Sequence, residues 1–259
     1  MAGDVNTLTP QEKAQGWQLL FDGKSFDGWK NPADLSPPGD SWGIENGCLK
    51  SRSHPKLRED LFTAGTFEDF ELAFEWKISP GGNSGLKYRV QDRFFIDERR
   101  LQKGEFKKFE DLANASIRSR STKRRDATQE YVVGFEYQVI DAAHPDARRG
   151  AYYQAGALYD MLPATSHAGK APGEFNQARV VVRGQHIEHW LNGVKVVDGR
   201  LDSAAAMAHA EERWTRTSPI YGALSGQPKK SCPITLQNHN DEAWFRSIKI
   251  RRLSAQSAK

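Results

Sequence analysis

The sequence is poor in cysteine, with only Cys48 and Cys232 in 259 residues. The two lie far apart and show no spacing that would ligate a structural metal or form a redox pair. Cys48 sits in the strand-like run Gly47-Cys48-Leu49-Lys50 and reads as a small buried hydrophobe, not a bridge partner, which leaves the redox compartment open. No stretch approaches the ~20 consecutive apolar residues of a membrane helix, so no membrane insertion is expected. An excess of one charge is also missing. The 37 Lys and Arg face 33 Asp and Glu, a net of +4, with both signs mixed along the chain, which says little about partners. Basic residues crowd only between Arg118 and Arg125, with no aromatic interleaved to stack on bases, so nucleic acid is not expected as a partner. The opening residues Met1 to Thr7 lack the charged and apolar regions of a secretory signal, although a leader already removed would leave the same opening.

What the chain does have is aromatic residues, 7 Trp, 13 Phe and 7 Tyr within a hydrophobic fraction of 38%, enough for a real core. It also has the turn punctuation of an all-β domain. Thr9-Pro10-Gln11-Glu12 predicts a short helix capped by Thr9. Two Asp-Gly turns follow, at residues 22–23 and 27–28, each with an aromatic after it. Asn46-Gly47 predicts a hairpin between two short strands. Phe70 to Ile78 alternates cleanly, with Leu72, Phe74, Trp76 and Ile78 inward and Glu71, Glu75 and Lys77 outward. The turn Pro80 to Gly85 then leads into Leu86-Lys87-Tyr88-Arg89-Val90, where Lys87 and Arg89 project, so that two adjacent strands would offer two carboxylates and three cations on a shared face. Residues 178–197 predict a double hairpin turning at Gly184 and at Asn192-Gly193. Gly156 to Asp160 reads as a short strand, Ala204 to Trp214 as a short helix, and Ile234 to His239 and Trp244 to Ile250 as the final strands.

The rhythm breaks at residues 92–130, a highly charged segment that is helix-like from Ile96 to Leu112. We read it as an insertion, partly helical, with three roles open to it: surface decoration, wall or lid of a site, or an oligomer contact. No internal repeat or substantial linker is visible. The expected organisation is therefore one sandwich over 16–253, preceded by a polar segment (1–15) and followed by a tail (254–259).

The stretch with the most chemical promise is Gly134 to Asp141. Phe135, Tyr137 and Val139 fall on one face of the extended chain, and Glu136 and Gln138 on the other. A carboxylate in mid-strand between aromatic residues is an unfavourable place for a charge unless it has a partner or a purpose. A half-solvated strand that turns Glu136 to water would show the same alternation.

Taken in order, several fragments resemble the 3-keto-disaccharide hydrolase domain family: Gly16-Trp17 through Phe21-Asp22-Gly23-Lys24-Ser25 to Gly28-Trp29, Gly82-Asn83-Ser84-Gly85, Gly134-Phe135-Glu136-Tyr137-Gln138, His189-Trp190-Leu191-Asn192-Gly193, and Leu236-Gln237-Asn238-His239 with Phe245-Arg246-Ser247-Ile248. The resemblance covers about residues 16–253. It implies a concanavalin A-like jelly-roll β-sandwich of two antiparallel sheets, carrying the charged insertion. It also implies substrates that are glycosides oxidised to a ketone at sugar carbon 3. Two features depart from the family pattern: the insertion is long, and Asn238 stands where Asp is expected, which would weaken a polar contact beside His239.

A 3-keto group makes the proton on carbon 2 acidic, so a base can remove it and the glycosidic oxygen can leave from carbon 1. Elimination and net hydrolysis share that first half. The residues assigned to catalysis are Glu136 as base, with His239 or His189 as imidazole partner. His189 also shares a face with Ile187 and Leu191, which suits a core histidine equally well. Substrate contacts are assigned to Arg89, Lys87, Gln138, Tyr159, Gln237 and Asn83. Lyases of the resembled family are associated with divalent metals, and Glu136 and His239 would be the ligands here; no organic cofactor is expected. His186 and His189, three apart on one strand, face opposite sides and cannot share an ion. A retaining glucanase would need two carboxylates ~5 Å apart, and Asp141, the nearest to Glu136, falls on the other face. The alternative from a different class is a non-catalytic carbohydrate-binding module. The resemblance further implies a bacterial protein exported to the periplasm.

Overall fold

A computed structural model describes residues 4–31 and 39–254. Met1 to Gly3 of the N-terminal segment, residues 32–38 and residues 255–259 of the tail lie outside it. The strands, in chain order, are β1 (Gln18–Leu19), β2 (Trp29–Lys30), β3 (Trp42–Glu45), β4 (Cys48–Ser51), β5 (Leu61–Thr63), β6 (Phe70–Ile78), β7 (Asn83–Ile96), β8 (Gln129–Ile140), β9 (Asn176–Arg183), β10 (His186–Leu191), β11 (Val194–Arg200), β12 (Thr235–Leu236) and β13 (Ala243–Arg252). They form two antiparallel sheets. The larger runs β11-β10-β9-β6-β13-β4-β3, with β1 added against β13, and the smaller runs β2-β5-β12-β7-β8. The helices are α1 (Pro10–Ala14), α2 (Arg99–Gln102), α3 (Phe109–Ser119), α4 (Ala204–Trp214) and α5 (Pro219–Ser225). This is the jelly-roll sandwich that the family resemblance implied.

The core lies between the sheets. Phe70, Leu72, Phe74, Trp76 and Ile78 of β6 meet Leu86, Tyr88, Phe135, Tyr137 and Val139 of β7 and β8. Edge-to-face contacts cross the gap, with ring centroids 5.6 Å apart for Phe74 and Tyr137 and 6.2 Å for Phe70 and Tyr88; such pairs add about 0.5–1.5 kcal/mol to simple burial. Local signals hold where chemistry fixes the turn. Asn46 and Gly47 (φ +49° and +73°) and Asn192 and Gly193 (+49° and +84°) are left-handed, as two-residue hairpins require. Thr9 forms a capping box with Glu12 at the start of α1, and the helix expected at Ala204–Trp214 is α4. Both thiols are free and buried.

Other expectations fail for identifiable reasons. β6 and β7 do not share a face, because the turn between them carries the chain from one sheet to the other. Asp141 fixes that crossover by accepting from the Gly81 amide at 2.6 Å. Ile96 ends β7, and the helices begin only at Arg99 and Phe109, so the helix-like run from Ile96 to Leu112 is split. Gly156 to Asp160 is no strand. Left-handed Gly156 (φ +83°) and Asp160 (φ +57°) bend the chain at each end, and only Leu158 bridges, to Tyr137 and Leu162. Of Ile234–His239 only Thr235–Leu236 joins a ladder. Beyond it the Asn238 amide donates to Ser41 O (2.8 Å) and Arg52 O (3.0 Å), bonds that an ionised Asp could not make; Asn238 thus anchors the chain ahead of His239.

The charged segment joins β7 to β8 and lies over the outer face of the smaller sheet. Its helix α3 buries Leu112, Ala113, Ser116 and Ile117 against β7 and α5. Ser218, the cap of α5, binds Asn114 of α3 at 2.5 Å. Three arginines of the basic run make internal contacts: Arg118 donates to Thr217 O, Arg120 pairs with Asp92, and Arg124 grips Glu59 with two hydrogen bonds.

Candidate active site

The outer face of β7 and β8, with the chain that follows β12, forms the floor of a cavity of about 240 Å³. Register decides what points into it. Lys87 of β7 lies opposite Glu136 of β8 and Thr235 of β12, and Gly85 lies opposite Gln138. In an antiparallel sheet such neighbours share a face. Gly85 is the residue that makes room: a methyl group there would overlap Glu136 Oε1 and lie 2.7 Å from its Cδ, so the carboxylate rests in the space that a side chain would fill.

Seven of the sequence-assigned residues line this one cavity: Glu136, His239, Lys87, Gln138, Tyr159, Gln237 and Asn83. Arg58, Gln129, Tyr131, Asp146 and Arg213 complete most of the wall, and Glu98, Phe109 and Glu110 come from the insertion. The insertion is therefore a wall of the cavity. Several polar atoms here are buried without a hydrogen-bond partner among the described residues: both amide atoms of Gln138, Gln237 Oε1 and Asn83 Oδ1. A buried unsatisfied polar atom costs about 1–3 kcal/mol. Three such side chains turn hydrogen-bonding capacity toward one cavity, where water or a polar ligand can meet it.

The charges are arranged around Lys87. Its ammonium lies 3.7 Å from Asp60 and 3.8 Å from Glu136 and donates to Val132 O at 3.3 Å. Burial works against its charge, yet Asp60 and then Glu136 outweigh it, and its pKa is raised. Asp60 is itself lifted to about 6 by burial, with Lys87 opposing. Burial also raises Glu136, Lys87 opposes, and Asp60 adds to the rise. His239 is pushed down to about 4 by burial, then by Arg58 and Lys87, so it is neutral at pH 7. Its ring nitrogens have no hydrogen-bond partner among the described residues.

Two assignments are corrected. His189 lies between the sheets, fully buried. Its Nδ1–H donates to Gly156 O at 2.8 Å, which leaves Nε2 to accept from the Tyr88 hydroxyl at 2.9 Å; burial lowers its pKa to about 4. It is a neutral core residue and does not reach the cavity. Arg89 fails for a backbone reason. A bulge interrupts β7 between Tyr88 and Asp92, and Arg89 takes a left-handed φ of +49°. This breaks the alternation that would have put Arg89 beside Lys87. Its guanidinium is buried instead against Gly184 O (2.7 Å) and Asp69 (3.6 Å).

Glu136 and His239 do not fit a metal site. No third His, Cys or carboxylate among the described residues joins them at ligand distance, and the Lys87 ammonium already stands beside Glu136 as its cation. Among the described residues, the group of that kind whose ligand atoms lie within 4.8 Å of one another is His186, Glu188 and Asp198, on β10 and β11 of the other sheet. There Lys195 Nζ lies 3.0 Å from Glu188 and 2.6 Å from Asp198, so an ion would have to displace it. The sequence reading missed Asp60, Arg58, Tyr131 and Arg213. The charged triplet Arg58-Glu59-Asp60 directly before the apolar strand β5 was a signal for the first two; nothing local marks Arg213, which closes the end of α4.

The profile of the 3-keto-alpha-glucoside-1,2-lyase-like domain matches residues 16–251. A protein of Bacteroides thetaiotaomicron named 3-keto-disaccharide hydrolase is 30% identical over 97% of this chain and 83% of its own length. A crystal structure of a candidate glycosyl hydrolase from Parabacteroides distasonis superposes with a TM-score of 0.70 at 26% identity, covering 97% of this chain and all of that one. A second from the same organism, at 24% identity over 92% of this chain and 99% of its own, has a TM-score of 0.58 and shares the fold. With the match spanning nearly the whole sandwich, the chain belongs to the 3-keto-alpha-glucoside-1,2-lyase-like domain family.

Proposed function

We propose that this protein cleaves the glycosidic bond of 3-keto-glycosides by removing the proton on carbon 2. The observation that carries the reading is the ion group at the cavity floor: Glu136 beside the Lys87 ammonium, surrounded by unpartnered amides. Its relatives' names point to the same substrates. Glu136, a stronger base for its raised pKa, takes the C2 proton. The electron pair moves toward the C3 oxygen, and Lys87 and the amide donor of Gln138 stabilise the enolate that forms. As C1=C2 forms, the C1–O bond breaks. Neutral His239 relays a proton to the leaving oxygen, giving one from one nitrogen as it accepts another from water. For net hydrolysis, the hydroxide left by that same water adds to C1 as Glu136 returns its proton to C2. Without that addition the product is the unsaturated ketone.

Lys87 acts here as a charge. Held by two carboxylates, it stays an ammonium and is a poor nucleophile toward the ketone. No step runs through a metal, because the donor set at Glu136 does not fit one. We also propose export to the periplasm, which fractionation of the native cells would test.

The deciding experiment mixes the protein with a 3-keto-glucoside carrying a chromogenic leaving group. Release by the wild type, lowered about 10²–10⁴-fold in Glu136→Gln, is the expected result. Binding of the sugar without release would make the protein a carbohydrate-binding module. Release unaffected by Glu136→Gln would remove Glu136 from its role.

A further inference from the structure

A second, larger chamber adjoins the reaction cavity. It measures about 650 Å³, within the usual ~300–1,000 Å³ of ligand sites, and lies between α3, α4 and the turn at Tyr152 and Tyr153. Glu110 and Arg213 line both spaces, and their side chains pair at 3.4 Å, so the two chambers meet at that ion pair. The partition is organised. Arg213 lies 3.6 Å from Asp160, whose other oxygen accepts from the Tyr153 hydroxyl at 2.7 Å. Tyr153 OH in turn accepts from Arg149 at 3.0 Å. Asp160 adopts a left-handed φ of +57°, a conformation that a non-glycine residue keeps only where its surroundings hold it.

We propose that the leaving half of the substrate, a second sugar ring, occupies this outer chamber, and that Arg149 and Tyr152 set which leaving group is accepted. The proposal rests on the reading of the inner cavity as the place where the 3-keto ring reacts. Three observations support it. The chamber begins where the reaction cavity ends, as a group attached to carbon 1 would need. Its lining includes half-buried aromatic side chains held in place by their neighbours, with Tyr152 stacked on His209 at 3.8 Å between centroids and 28° between planes, and the Arg149 guanidinium 3.9 Å from the Tyr153 ring centroid. Its lining holds four cationic side chains against four carboxylates, so it suits a neutral polyhydroxyl group better than a phosphate or a uronate.

The test compares two substrates, a 3-keto-disaccharide and the methyl glycoside of the same 3-keto sugar, in the wild type and in Arg149→Ala and Tyr152→Ala. The expected result is about a tenfold fall in the ratio of kcat/KM for the disaccharide to kcat/KM for the methyl glycoside in each variant. An unchanged ratio overturns the proposal, even if both values drop together as they would from a damaged fold. Dissociation constants of the two compounds measured by calorimetry, with each substitution placed on Glu136→Gln, read the same preference without turnover. A wild type that cleaves neither compound overturns the reaction, whereas a calorimetric preference for the disaccharide that survives Tyr152→Ala and Arg149→Ala overturns the chamber.

Discussion

Replacing Lys87 by methionine tests the charge arrangement at the cavity floor most directly. The side chain is 5% exposed, and Asp60, its partner at 3.7 Å, is 3% exposed. Asp60 Oδ2 has no hydrogen bond among the described residues, so Lys87→Met leaves it and Glu136 without their cation. Breaking a buried pair in this way costs about 3–5 kcal/mol, which for a chain of this size lowers Tm by roughly 6–20 °C. The sign of the pH dependence follows from linkage. Asp60 already titrates near 6 against a usual 3.8, and Glu136 is also raised; without Lys87 both rise further. A raised carboxyl contributes stability that is fully present below its unfolded value and lost as pH rises through its folded value. The penalty of Lys87→Met is therefore large at pH 8 and shrinks toward pH 5, where the folded variant keeps its protons. Urea denaturation at the two pH values measures it, and adding Asp60→Asn recovers part of the loss at pH 8. An equal loss at pH 5 and pH 8, with no recovery in the double variant, would mean that lost packing explains the effect and that the electrostatic account is wrong.

Gly85→Ala drives the Glu136 carboxylate out of its recess; turnover falls at least tenfold while circular dichroism stays that of the wild type, and an active variant would show that this placement is immaterial. The pH profile of turnover has its acid limb above the ordinary carboxylate value of 4.5, because burial raises Glu136; a limb at or below 4.5 would contradict the assignment. His189→Phe strands the Tyr88 hydroxyl and the Gly156 carbonyl and costs about 1–3 kcal/mol. In the wild type, His189 stays neutral to about 4 while the unfolded chain takes up its proton near 6.5, so stability drops as pH falls through that window; chemical denaturation will find a shallower drop in the variant. Dialysis against a chelator leaves turnover intact, because Lys87 holds the place of the cation; loss that a divalent ion restores would refute this.

Much of the sandwich was legible in the residues. Hairpins at Asn46-Gly47 and Asn192-Gly193, the Thr9 cap and the alternation of β6 and β8 are dictated by contacts a few residues long. The cavity residues on β8 and β7 were legible for the same reason, since period-2 alternation separates Glu136 and Gln138 from Phe135 and Tyr137. The failures involve facts that no short window contains. Arg89 obeys the alternation until a bulge and a left-handed backbone turn it over. His189 shows the same pattern whether its face meets solvent or another sheet. The sequence by itself determined a two-sheet β fold, the core faces and the carboxylate in mid-strand. Only the tertiary structure decided that β6 and β7 part company, that Asp60 rather than Arg89 stands beside Lys87, and that the charged insertion walls the cavity together with Arg213. Those outcomes depend on which distant segments pack together, and that is set by burial of the whole core rather than by any local preference.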